Sequence, residues 1–144
     1  MDLKGQYTFN APRARVWKQL MDPAIIAACL PGCQRFEPLG EDRYQVVVNA
    51  GVAAITGTFE GTVALVDQQP ESSYRLVVEG RGRPGFASGD ATVTLTPRAT
   101  DVVVDVAGTM TVGGLVAQVG QRLISTTARM MMDRFFKCLQ SRME

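Results

Sequence analysis

The residues in this chain best suited to chemistry are Cys29 and Cys33, which flank Leu30-Pro31-Gly32. Two thiols four positions apart could hold a metal or supply a nucleophile. A zinc site takes four protein ligands, or three plus water. Beyond this pair only Cys138 remains, and the chain has no histidine. A nucleophilic thiolate needs a neighbouring base or positive charge, and Arg35 alone is close in sequence. Pro31-Gly32 also interrupts any helix that would bring the thiols together. We therefore read the segment as a tight turn with buried thiols. Three cysteines, an odd number, suit reduced thiols better than a disulfide framework.

General acid–base work needs a titratable side chain held against the substrate. Counting by twos along the apparent strands gives the opposite arrangement. Ile55, Phe59, Val63 and Leu65 share one parity and Glu60 takes the other. Tyr74, Leu76 and Val78 alternate with Arg75 and Glu79, and Ala91, Val93 and Leu95 oppose Asp90. Val102, Val104, Val106, Met110 and Val112 oppose Asp105. Every strand carboxylate thus falls on the solvent side, which leaves Tyr7, Tyr44 and Tyr74 as the interior's titratable groups. This pattern predicts a binding cavity and no catalytic site or bound metal.

The elements that build such a cavity can be traced along the chain. Residues 2–9 alternate as a first strand. Asn10 then reads as a helix cap, with Pro12 in the first turn and Val16, Trp17, Leu20 and Met21 as one apolar stripe. Asp22-Pro23 starts a second short helix, which Pro31-Gly32 ends. Turn signals at Gly40-Glu41-Asp42, Asn49-Ala50-Gly51, 67–73, 81–85 and 97–100 separate strands near 33–38, 43–50, 53–66, 73–81, 86–96 and 102–112. Short turns imply an antiparallel meander. Gly57 and Gly61 inside one strand suggest a bulge or a bend that lets the sheet curl.

Residues 115–143 read as one long amphipathic helix. Ala117, Gly120, Ile124, Ala128, Met131, Phe135 and Cys138 form its inner face, and Gln118, Arg122, Ser125, Arg129, Asp133, Lys137 and Gln140 its outer face. The small residues Ala117, Gly120 and Ala128 leave room between helix and sheet, and an apolar void is a candidate ligand site. Met130-Met131-Met132 reads first as gap-filling core. Arg122, Arg129, Arg134, Lys137 and Arg142, set against Asp133 and Glu144, make the outer face basic. Such a face suits an anionic membrane or acidic partner, or simply solvent. The tip Arg81-Gly82-Arg83-Pro84-Gly85-Phe86 reads as a turn or as a lid over the cavity.

With 144 residues and a net charge of +1, we expect one domain over residues 1–144 and no nucleic-acid partner. Met1-Asp2-Leu3-Lys4-Gly5 leads into no apolar run, so we expect no signal peptide and a cytoplasmic protein.

The order strand, two short helices, six strands, long helix resembles the helix-grip fold of the START-like (SRPBCC) superfamily. Within it the chain is similar to the carbon monoxide dehydrogenase G-subunit family. The shared residues are Ala11-Pro12 with Val16-Trp17, Asp22-Pro23, Cys29-Leu30-Pro31-Gly32-Cys33, Gly57-Thr58-Phe59 with Gly61, Gly85-Phe86-Ala87 with Gly89, Gly120 with Leu123-Ile124, and Phe135-Phe136. The resemblance implies an α+β fold: a seven-stranded curved antiparallel sheet around the last helix, with two short helices between the first two strands. It further implies an accessory protein of an aerobic carbon monoxide dehydrogenase or related molybdenum hydroxylase. Such a protein would link the enzyme to the membrane or a lipidic quinone, peripherally at the inner membrane face.

The expected cavity lining is Val48, Phe59, Val63, Leu76, Val78, Val93, Val106, Met110, Ile124, Ala128 and Met131. The expected occupant is an apolar small molecule, a lipid or isoprenoid quinone, and no other cofactor. The competing readings are a cyclase- or dehydratase-like enzyme using Tyr44 or Tyr74, and a protein adaptor with a collapsed core.

Overall fold

A computed structural model describes residues 1–52 and 55–143. The elements are β1 (Asp2–Phe9), α1 (Arg13–Met21), α2 (Pro23–Cys29), β2 (Cys33–Gly40), β3 (Arg43–Val52), β4 (Ile55–Gln69), β5 (Ser73–Gly82), β6 (Gly85–Pro97), β7 (Val102–Gly113), a 3-10 turn (Leu115–Val119) and α3 (Gln121–Ser141). The strands form one antiparallel sheet in the order β1-β7-β6-β5-β4-β3-β2. This is the helix-grip arrangement: a curved seven-stranded meander closed by the first strand, with α3 lying across its concave face.

The local causes are readable. β1 alternates strictly, with Leu3, Gly5, Tyr7 and Phe9 turned inward and Asp2, Lys4, Gln6 and Thr8 exposed. Asp22 caps α2 by accepting from the Ala24 amide at 2.9 Å, and Pro23 occupies the first helical position. Gly32 adopts φ +74°, and a side chain there would collide with the Asn49 carbonyl oxygen. The turn therefore needs glycine both for its conformation and for the close approach of β3.

Several expectations are corrected. The last helix is not continuous from 115 to 143. Gly120 sits at φ +96°, a conformation an α-helix interior does not accept, so a short 3-10 turn precedes α3. That break rotates the phase of the preceding residues. Ala117 and Gly120 are exposed, and Val116 is buried in their place. Asn49-Ala50-Gly51 is not a turn but part of β3, paired through Ala50 opposite Gly57. Gly57 has φ +130°, yet the β3–β4 register runs on without a bulge. The cap of α1 is Pro12, not Asn10, and no side chain bonds to it. The expectations placed on residues 53 and 54, on the side chain of Ile55 and on Glu144 lie outside the described residues.

The cysteines also differ. Cys29 and Cys138 form a disulfide, with Cα atoms 5.4 Å apart and 109 positions of chain between them. Cys33 is the remaining free thiol. The bridge ties α2 to the C-terminal half of α3, so Cys29 and Cys33 are not a joint site.

The interior is unevenly filled. At one end α1, α2 and the second half of α3 supply Val16, Leu20, Ile26, Phe136 and Leu139, which pack on Phe9, Val93, Leu95, Val102 and Val104. Val16, Leu139 and Val104 have essentially no exposed surface. At the other end only the 3-10 turn and the first half of α3 cover the sheet, and the buried cluster is Ala50, Val116 and Ile124. Two short helices fill one half of the concave face; the other half has no counterpart to them.

Candidate apolar cavity

The underfilled end opens into a cavity of two lobes. The outer lobe, about 330 Å³, lies between β3, β4, β7, the 3-10 turn and the first half of α3. The inner lobe, about 240 Å³, runs toward the packed end beneath Phe135 and Phe136. Leu3, Leu30, Val63, Val78, Met110 and Met131 line both, so the lobes are adjacent. A volume of this order accepts a small organic molecule.

Val48, Phe59, Ile124 and Ala128 line the outer lobe. Leu76, Val93 and Val106 line the inner one. Val63, Val78, Met110 and Met131 border both, so each expected lining residue borders one lobe or the other. Sequence reading missed Leu3, Leu30, Ala87, Val112, Val116 and Thr127 in the walls. Leu3, Ala87 and Val112 carried the inward parity of their strands and were open to detection. Val116 was hidden by the assumed helix phase, and Thr127 by its polarity.

Glu60, Glu79 and Asp90 also border the cavity. Their side chains lie on the opposite parity and are exposed, so the strands reach the cavity with their backbone. Asp90 pairs across the outer face with Arg75, which also reaches Asp67 at 2.9 Å. The Arg75 guanidinium holds the Asp90 carboxyl below the usual range, as expected for a solvent-side ion pair. Among the described residues no three His, Cys, Asp or Glu side chains converge as metal ligands.

The tyrosines separate into three roles. Tyr7 stacks on Phe136 at 4.3 Å and donates to Asp133 Oδ1 at 2.6 Å. Asp133 is therefore not on a free outer face of α3; it fixes the helix to β1. Gln140, also expected outside, donates to the Thr8 carbonyl at 2.8 Å. Tyr44 stacks on Phe36 at 4.7 Å and lines neither lobe. Tyr74 borders the inner lobe, edge-on to Trp17. Burial, and for Tyr7 the Asp133 carboxylate, raises all three phenols above their ordinary value of 10. Burial likewise raises the Cys33 thiol, so it is not an activated nucleophile.

A pH dependence follows from these shifts. The fold favours the neutral phenol, so its contribution is complete below pH 10 and falls as pH rises above it. Alkaline titration followed by phenolate absorbance should show none of the three tyrosines ionising near 10. They should ionise together when the chain unfolds. An independent phenolate near pH 10 in the folded protein would contradict the burial described here.

At the outer-lobe end Leu115, Leu123 and Phe86 are 66%, 42% and 47% exposed; Leu115 and Leu123 sit on the elements that cover the outer lobe, and Phe86 lies over Gly113 on the sheet face opposite the lining residue Ala87. The β5–β6 tip is docked on the 3-10 turn, where the Val116 amide donates to the Pro84 carbonyl. Arg81, Arg83 and Arg122 are exposed at this end, and among the described ion pairs none involves them. The opposite end carries Glu41, Asp42, Glu71 and Asp101. Among the described residues no helix is long and apolar enough to cross a membrane.

Comparison with known proteins places this geometry. A family model for the carbon monoxide dehydrogenase G subunit (CoxG) matches residues 5–144. A search of curated protein sequences returned no significant match. Among solved structures, a conserved protein from Geobacillus kaustophilus superposes with a TM-score of 0.96 at 32% identity, over 99% of this chain and 95% of that one. A START superfamily protein from Mycobacterium smegmatis gives 0.74 at 11% identity, over 99% and 96%. The ZhuI aromatase/cyclase from Streptomyces sp. R1128 gives 0.70 at 12% identity, over 99% and 93%. The last two likenesses are of fold.

Proposed function

The chain belongs to the CoxG family of carbon monoxide dehydrogenase, and on that premise we propose that it is a non-enzymatic carrier of one apolar molecule. It serves an aerobic carbon monoxide dehydrogenase or related molybdenum hydroxylase by moving a lipid or isoprenoid quinone between that enzyme and the membrane. The observation that carries this reading is the pair of adjacent lobes whose inward side chains are almost all hydrocarbon. Each ligand methylene buried there contributes about 0.8 kcal/mol, so a chain of several isoprene units binds without polar contacts.

The exposed apolar and basic residues at the outer-lobe end support a membrane as the place of loading. Three arginines at one end favour an anionic lipid surface, each worth about 1 kcal/mol near it. Leu115 and Leu123, exposed on the elements that cover the outer lobe, would enter the interface there, so that the ligand crosses without meeting water. Contact is peripheral.

Transfer from vesicles tests the proposal. Purified protein is mixed with phosphatidylglycerol vesicles carrying a long-chain quinone, the vesicles are floated away, and quinone in the protein fraction is measured. The expected result is uptake of about one molecule per chain, reduced when Arg81, Arg83 and Arg122 are changed to glutamate. Absence of quinone in the protein fraction would contradict the carrier role.

A further inference from the structure

One residue in the wall of the outer lobe carries a hydroxyl that the fold leaves without a partner. Thr127 on α3 is 3% exposed and lines this lobe, and its Oγ1 is shielded from solvent with no hydrogen bond. Its neighbour shows what a helical threonine ordinarily does. Thr126, exposed, donates its hydroxyl to the Arg122 carbonyl at 3.0 Å, one turn back. Thr127 is the buried member of the pair and makes no such bond. An unpaired buried hydroxyl is destabilising, and such a group calls for an explanation. The other such atom among the described residues, Gln19 Oε1, lies on α1 and borders neither lobe.

The surroundings define what could pair with it. Phe59, Val116, Ile124, Ala128 and Met131 line the same lobe as Thr127, and no charged side chain of the described strands lies on the inward parity. A carboxylate or phosphate brought here would lose its hydration with no cation to receive it. A neutral oxygen loses much less and gains one hydrogen bond. Threonine in a helix divides between two χ1 rotamers, so the hydroxyl has a second position open to it.

We propose that Thr127 is the hydrogen-bonding subsite of the cavity. Its ligand is an uncharged apolar molecule whose ketone, quinone, ester or alcohol oxygen rests on Thr127 in the outer lobe while hydrocarbon fills the inner lobe. The inference rests on the carrier reading and adds ligand class and orientation to it. It selects against fatty acids and phospholipid headgroups.

The experiment compares two probes of similar shape, decylbenzoquinone and decylbenzene, which differ in the carbonyl oxygens. Dissociation constants are measured for the unaltered protein, Thr127→Val, Thr127→Ser and Tyr74→Phe, with circular dichroism as a check on folding. Thr127→Val should weaken decylbenzoquinone about five- to tenfold, the loss of one hydrogen bond, and leave decylbenzene unchanged. Thr127→Ser should restore quinone binding toward the original value, and Tyr74→Phe, in the wall of the inner lobe, should affect both probes alike. Equal effects of Thr127→Val on both probes, or none, would overturn the subsite while leaving the carrier reading standing. Quinone-selective loss in Tyr74→Phe alone would place the oxygen in the inner lobe and overturn it too. Binding of neither probe by the unaltered protein would remove the carrier reading itself.

Discussion

Ala128→Trp should abolish ligand uptake while the protein stays folded. Ala128 sits on α3 at the wall of the outer lobe, about 330 Å³ in size, with Ile124 and Met131 beside it on the same helix face. An indole projecting from this position fills space that is empty, so overpacking strain is small. Excluding about four ligand methylenes removes roughly 3 kcal/mol, or about two orders of magnitude in affinity. Thermal unfolding should show a midpoint equal to or above that of the unaltered chain, because the ring replaces a void with contacts. Ala128→Ser, which adds little volume, is the control and should bind nearly as before. Unchanged uptake by a folded Ala128→Trp protein would mean that the ligand lies elsewhere.

Removing the Cys29–Cys138 bridge should produce the largest loss of stability available without touching the cavity. The bridge closes 109 positions of chain, and constraining so long a loop in the unfolded state is worth up to about 5 kcal/mol. Measured losses for native disulfides run about 2–5 kcal/mol, which for a chain of this size lowers the thermal midpoint by about 5–15 °C. Cys29→Ala, Cys138→Ala, the double variant and the unaltered protein in reductant should all show the same loss. Cys33→Ala should not share it, because that thiol is free and bonds only to the nearby Arg35 carbonyl. The bridge lies at the packed end, between α2 and the last turns of α3, so ligand uptake well below the midpoint should persist. A midpoint indifferent to reductant would show that the pair does not bridge in solution.

What the sequence made legible was whatever depends on local pattern. β1 alternates so strictly that its parity assigned every side chain correctly, from Leu3 to Phe9. Asp22-Pro23 announced α2 through one side-chain cap and one fixed φ. The inward residues of β4 to β7 followed from counting by twos, and the expected cavity residues on those strands lie where that count put them.

What escaped was set by long-range partners or by glycine. Gly120 has no side chain, so it suits a helix face as a small residue and equally suits a left-handed break; it adopts φ +96° where the 3-10 turn meets α3. The cysteine pairing joins residues 109 positions apart, and spacing gives no sign of it. Asp133 looked like one more charge on a solvated helix face, and only the approach of β1 gives it Tyr7 as a partner. Thr127 was passed over because apolar periodicity ignores hydroxyls. Spacing alone sets it three residues from Ile124 and four from Met131, on one face of α3.

The most direct test of the central claim, that this chain encloses an apolar molecule, is native mass spectrometry of the protein purified from its own host without detergent, followed by organic extraction. The account expects one added mass per chain, released into the organic phase as an uncharged oxygen-bearing hydrocarbon and restored by incubation with a host lipid extract. A bare chain mass that the extract does not change, or a bound species that is charged and water-soluble, would contradict it.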